Sequence, residues 1–195
     1  MGAWADFRAD LRHTYRQQED SSALKRWVRV ALSQGIWALC AYRFGRFCHH
    51  SRIPVLPRLL KPVHLIWSKA VEILTGIKLY PQSVIGPGLY IHNFGGVVVY
   101  GDTGRECILV QGAQLLYRGD GRGAGGPTIG DAVYVGAGAK VLGPIHVGDG
   151  ARIGANAVVL VDVPTGATAV GVPARVIAAP RQSEEAAEAA TKESA

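Results

Sequence analysis

Cysteine is scarce: Cys40, Cys48 and Cys107 are the only three in 195 residues, an odd number without metal-ligand spacing. An odd count argues against a disulfide framework and the spacing argues against a zinc site, so a reducing cytoplasm is the expected compartment. Long apolar runs are missing too. The longest, around Gly35 to Tyr42, is too short to span a bilayer, and Asp6, Arg8, Asp10 and Arg12 stand where a signal peptide needs apolar residues. A soluble or at most peripheral protein is expected. The glycine-rich stretch Gly119 to Gly126 lacks the Lys-Ser/Thr and helix of a phosphate-cradling loop. Charge is uneven: residues 1–79 hold thirteen Lys/Arg against five Asp/Glu, the remainder eight against ten, for a net +6. No nucleic-acid motif accompanies the basic half, which reads as a solvated helical surface, with neither nucleic acid nor membrane as an expected partner.

What the chain has instead is a six-residue beat. Ile129, Val135, Val141, Val147, Ile153 and Val159 place a branched aliphatic at every sixth position. A second register four places on, Val133, Ala139, Ile145, Ala151, Ala157 and Val163, is mostly small or branched, and Gly follows the aliphatic at Gly130, Gly136, Gly148 and Gly154. Helices repeat at 3.6 and strands at 2, so neither explains this period. A parallel β-helix does: each hexapeptide is one side of a triangular coil, with the aliphatic inside and a small residue at the corner. The beat is audible upstream at Leu79, Ile85, Ile91 and Val97, becomes unreadable between Asp102 and Leu109, and returns at Leu115 before an insertion from Arg118 to Pro127.

Ahead of the repeat, Ala3 to Gly76 reads as helical. Ser21 and Ser22 are N-cap candidates, apolar spacing of three and four recurs through Leu59, Val63, Ile66, Val71 and Leu74, Pro54, Pro57 and Pro62 punctuate the segment, and Thr75-Gly76 stops it. Open β-helix ends expose unpaired backbone, so these helices are expected to cover one end. The organisation predicted is α+β: residues 1–76 helical, 77–180 a β-helix domain, 181–195 a flexible tail rich in Ala and Glu.

Four segments carry a family resemblance: Gly35 to Gly45, Ile85 to Val97, Ile129 to Gly143, and Asp162-Val-Pro164 with Gly171-Val-Pro-Ala-Arg175. On these the chain resembles the hexapeptide-repeat acyltransferases and, within them, the serine O-acetyltransferases, over nearly its whole length. The resemblance implies a left-handed β-helix, a homotrimer or dimer of trimers with active sites between neighbouring β-helices, acetyl-CoA as donor, a small hydroxyl acceptor, no metal, and a role in cysteine biosynthesis. By the same resemblance Ala137 and Ala155 contact the pantetheine arm, while Arg152 and Arg175 serve the phosphates and adenine.

Acetyl transfer to a hydroxyl needs a base for the proton and donors for the oxyanion. Of His13, His49, His50, His64, His92 and His146, only His92 lies beside Gly95-Gly96 in the first repeat block, where the family keeps its base. His92 is the candidate base, with Asn93 orienting it or donating to the acceptor. In ungapped alignment the family's Asp-His pair falls on His92-Asn93. The family's acidic partner in the first coil corresponds to Lys78, its Arg-His pair beside the acceptor to Gly125-Gly126, and a Gly near the thioester to Leu116. Between Gly96 and Gln111 the coil is two residues shorter than the family's. Glu19 and Asp20 fall close to the family's acidic site for the amino group of serine. This altered polar set leaves three readings open: an L-serine acetyltransferase, a sugar O-acetyltransferase of polysaccharide synthesis, or a catalytically impaired trimeric structural relative.

Overall fold

The computed structural model describes residues 3–18, 22–50, 56–92, 95–119 and 125–177; the expected tail at 181–195 lies outside them. Four helices come first: α1 (Ala3–Arg16), α2 (Ala23–Leu32), α3 (Gln34–His50) and α4 (Leu56–Thr75). Ser22 occupies the N-cap of α2 without a side-chain cap bond, and Ser21 is outside the described residues. Pro62, the seventh residue of α4, lies inside the helix rather than breaking it, at the loss of one i→i−4 backbone hydrogen bond, a correction to the punctuation expected from sequence. Among the described residues no helix is long and apolar enough to cross a membrane.

Five coils follow. The first holds β1 (Ile77–Leu79) and β2 (Tyr90–His92), and the second β3 (Val97–Val99), β4 (Asp102–Thr103) and β5 (Ile108–Val110). The third holds β6 (Gln114–Leu116), β7 (Thr128–Ile129) and β8 (Tyr134–Val135), and the fourth β9 (Lys140–Leu142), β10 (His146–Val147) and β11 (Arg152–Ile153). The fifth holds β12 (Val158–Val159) and β13 (Thr168–Gly171), after which β14 (Ala174–Ile177) turns back antiparallel on β13. Strands stack into three faces: β1-β3-β6-β9-β12, β4-β7-β10, and β2-β5-β8-β11-β13-β14. Every rung but the last is parallel, so this is a left-handed β-helix of hexapeptide coils. All six aliphatics of the beat are buried, as are Val133, Ala139, Ala151, Ala157 and Val163 of the second register.

Upstream, the register corrects the beat. Val97 aligns with the corner residues Ala113, Ala139 and Ala157, and Val99 takes the inward slot opposite Leu115. The corner after Ile91 is therefore two residues longer than the one after Leu109, and the step from Val99 to Thr103 is correspondingly short. Thr103 itself breaks the beat, because it is a polar residue in an aliphatic column, bridging to Ile85 above and pairing with Ile129 below. It is buried and its Oγ1 has no hydrogen-bond partner. An unsatisfied buried hydroxyl is destabilising, so Thr103→Val is expected to raise unfolding free energy by about 1–2 kcal/mol in a urea titration.

The helices bind the open first coil through buried polar groups. The Asp10 carboxylate accepts from the N–H groups of Gly88 (2.8 Å) and Leu89 (3.0 Å), while Arg43 donates to it at 3.0 and 3.2 Å. Arg43 also donates to the carbonyls of Ile85 (2.7 Å) and Gly86 (2.6 Å), and the Tyr42 hydroxyl donates to Ser83 O (2.6 Å). Backbone that no further coil could pair is thus satisfied by side chains of α1 and α3. Gly35 lets the start of α3 touch β2, since a Cβ there would lie 2.8 Å from the Ile91 carbonyl oxygen.

Candidate active site

His92 ends β2, on the outer side of its sheet, and is exposed. Tyr90, two residues back and so on the same strand face, sets its ring centroid 5.6 Å from that of His92. The Tyr90 ring is buried and lies 6.0 Å from that of His13. His13 has a structural task. Its Nδ1–H donates to the Gly88 carbonyl (2.5 Å), which leaves Nε2 to accept from the Gln17 amide (3.1 Å).

The chain turns from the β2 sheet to the β1 sheet at an edge that continues down the molecule. Along it Gly112 N–H donates to Gly95 O (3.0 Å), Gly138 N–H to Gln111 O (2.9 Å), and Asn156 N–H to Ala137 O (2.7 Å). Gly96, Gly112 and Gly138 all hold positive φ here, and a Cβ on either of the first two would sit 3.4 Å from the next glycine, so the edge is narrow and smooth. Ala137 and Ala155 are exposed on it. Arg152 projects from β11 with its guanidinium 5.1 Å from the Tyr134 ring centroid. Arg175, on β14 opposite Val170, is exposed on the same sheet. His92, Ala137, Ala155, Arg152 and Arg175 therefore share one edge and its flanking face, with β2 and β13 about 19 Å apart at four strand spacings. Of the other residues expected at the site, Asn93, Glu19 and Asp20 lie outside the described residues.

A cavity of about 680 Å³ opens beside His92. Tyr90, Ile91 and His92 line it from β2, Gln111 from the next coil, Gln17 and Gln18 from the end of α1, and Arg29, Leu32, Ser33 and Gln34 from the junction of α2 and α3. The sequence reading missed this assembly. Tyr90 was findable from its spacing to His92, whereas Arg29 and Gln34 come from segments that nothing in the sequence connects to the repeat. A second cavity, about 510 Å³, lies between α3, α4 and the first coil. There Lys78, which stands where the resemblance has an acid, pairs with Glu72 at 3.5 Å and lies 4.8 Å from the Tyr80 ring centroid. Glu72 is held below the usual carboxylate range by its bond to Lys69 first and by Lys78. Among the described residues no cluster of three metal-ligating side chains occurs.

A parallel β-helix of hexapeptides, helically capped, with a histidine at the head of a glycine-lined edge, defines the chain as a hexapeptide-repeat acyltransferase. The model of the bacterial transferase hexapeptide (six repeats) matches residues 126–160. The serine acetyltransferase of Helicobacter pylori (strain J99 / ATCC 700824) is 44% identical over 163 residues, covering 82% of this chain and 91% of that protein. The chain belongs to the serine acetyltransferase family. Among solved structures, soybean serine acetyltransferase complexed with serine superposes with a TM-score of 0.73 at 30% identity, over 90% of this chain and 70% of that one. A serine acetyltransferase in complex with CoA superposes at 0.72 and 29% identity, over 90% and 69%.

Proposed function

We propose that this protein transfers the acetyl group of acetyl-CoA to the hydroxyl of L-serine, with His92 as general base. The observation that carries the reading is the exposed His92 at the mouth of the 680 Å³ cavity and at the head of the edge bearing Ala137 and Ala155. The serine hydroxyl enters the cavity and gives its proton to the imidazole as its oxygen attacks the thioester carbonyl. The tetrahedral intermediate then expels the CoA sulfur, which takes the proton back from the imidazolium, leaving O-acetylserine and CoA. Asn93 orients His92 or donates to the acceptor, and Glu19 and Asp20 receive the amino group. Residues 1–76 act as the cap, 77–180 as the catalytic body and 181–195 as a tail. A homotrimer forms, with sites between neighbouring β-helices. Leu24, Ile66, Ile73 and Leu74, exposed on the helices, support assembly beyond the single chain.

CoA lies along the edge, with its pantetheine arm against Ala137 and Ala155 and its phosphates and adenine toward Arg152 and Arg175. Arg152→Ala and Arg175→Ala are each expected to weaken CoA binding in calorimetry by about 1.5–3 kcal/mol, the scale of a charge-assisted hydrogen bond. No CoA binding by the unmodified protein would remove the acyltransferase reading.

Release of the CoA thiol, followed with L-serine and with a panel of sugars, tests the acceptor: serine-dependent release supports the proposal, and release with sugars alone replaces it by the sugar reading. The protein's own thiols are expected to stay silent in this assay. Burial pushes all three up, Cys107 to about 11, so near neutral pH they are protonated. Titration with a thiol reagent is expected to find Cys107 unreactive in the folded protein and reactive after unfolding.

A further inference from the structure

We infer that Tyr90 is a positioning residue for the base: its ring holds the His92 imidazole in the orientation that takes the acceptor's proton. The inference rests on the acetyl-transfer reading above, with His92 as base, and adds the group through which the helical cap acts on that base. An unsupported imidazole at the exposed end of a strand turns about two side-chain bonds, whereas a general base must meet its proton within hydrogen-bond reach and at a fixed angle. Among the described residues the contact found for the His92 ring is with Tyr90, at 5.6 Å between centroids and 32° between planes. That separation is within the range of packed aromatic pairs.

A ring can hold its neighbour only if it is itself held. Tyr90 is buried and its strand is paired to β5, with Tyr90 N–H donating to Cys107 O at 2.9 Å. Behind it stands His13, 6.0 Å away from ring to ring. Asp10 and His13, three residues apart on α1, share one face of that helix, and together they grip Gly88, two residues before Tyr90. Asp10 accepts from the Gly88 N–H at 2.8 Å, and His13 Nδ1–H donates to the Gly88 carbonyl at 2.5 Å. Gln17, one turn further along α1, engages His13 Nε2 at 3.1 Å. Both ring nitrogens of His13 are thus occupied, so the ring is fixed behind Tyr90, and the order His13, Tyr90, His92 runs from a clamped helix to the base. Tyr90 also lines the cavity. Loss of a cavity wall raises KM, whereas loss of support for a base lowers kcat.

The experiment measures turnover with acetyl-CoA and L-serine for full-length wild type, Tyr90→Leu, Tyr90→Met and Tyr90→Phe, and for His92→Ala with and without Tyr90→Leu, with folding checked by circular dichroism. Tyr90→Leu and Tyr90→Met, which replace the ring by chains of different shape, are each expected to lower kcat by about 10-fold while KM for serine changes by less than about threefold. Tyr90→Phe keeps the ring and recovers most of that loss. In the His92→Ala background Tyr90→Leu costs less than about twofold, because a support has no effect once the group it supports is gone. An unchanged kcat in the folded Leu or Met variant, a rise in KM alone, a Phe variant as slow as the Leu variant, or a further 10-fold loss on top of His92→Ala overturns the inference and leaves the acetyltransferase reading in place. A wild type without turnover, or full turnover by His92→Ala, overturns the base assignment and the inference with it.

Discussion

His92→Ala is expected to lower kcat by about 10²- to 10⁴-fold, the contribution typical of a positioned general base. The imidazole is exposed and packs on Tyr90 at the end of a strand, so its removal opens no core cavity. CoA affinity and the unfolding midpoint should therefore stay at their wild-type values. A base acts only in the transition state, so kcat and kcat/KM should fall together while KM for serine hardly moves. Steady-state kinetics beside calorimetry with CoA separate these quantities. Asn93→His, which sets an imidazole where the family has one, should be neutral or activating. Full turnover by His92→Ala would move the proton to another group.

The largest effect on stability is expected at Asp10. Its carboxylate lies at 0% exposure between Arg43 and the amides of Gly88 and Leu89. Asp10→Ala removes one partner of a buried ion pair, leaves the Arg43 guanidinium uncompensated and frees two buried N–H groups. A loss of about 3–5 kcal/mol follows from such a break, measured as a shift in the urea midpoint at constant slope. Burial is the largest influence on Asp10 and pushes its carboxyl above the ordinary value, against the pull of Arg43 and the two amides. The fold thus favours the protonated acid more than the unfolded chain does. Its contribution is fully present below the unfolded value and is lost as pH rises through the folded one. The stability difference between wild type and Asp10→Asn should accordingly shrink as pH rises through that range.

The β-helix was legible because its repeat is a packing constraint: each inward slot meets the slots one coil above and below, so aliphatics from Ile129 to Val159 recur without a slip. It was illegible where a corner changed length. Val97, a corner residue, kept the spacing of six by coincidence because the corner before it is two residues longer; two fewer residues after Val99 then return Thr103 to the beat, and Thr103 hid its slot by being polar. His92 and the residues of the edge could be read from the family's motifs because they sit inside the repeat. The staple of Asp10 and Arg43 could not, and neither could the lining of the acceptor cavity. Those contacts join α1, α2 and α3 to the first coil across 40 to 80 residues of chain, and no periodicity links such segments.

The most direct test of the central claim is the product itself. The purified protein is incubated with acetyl-CoA and L-serine, and the amino acid is analysed by mass spectrometry and proton NMR. The account predicts one added acetyl group, on the serine oxygen, formed in step with free CoA by wild type and suppressed in His92→Ala. Unmodified serine beside intact acetyl-CoA, or equal amounts of O-acetylserine from wild type and His92→Ala, would contradict it.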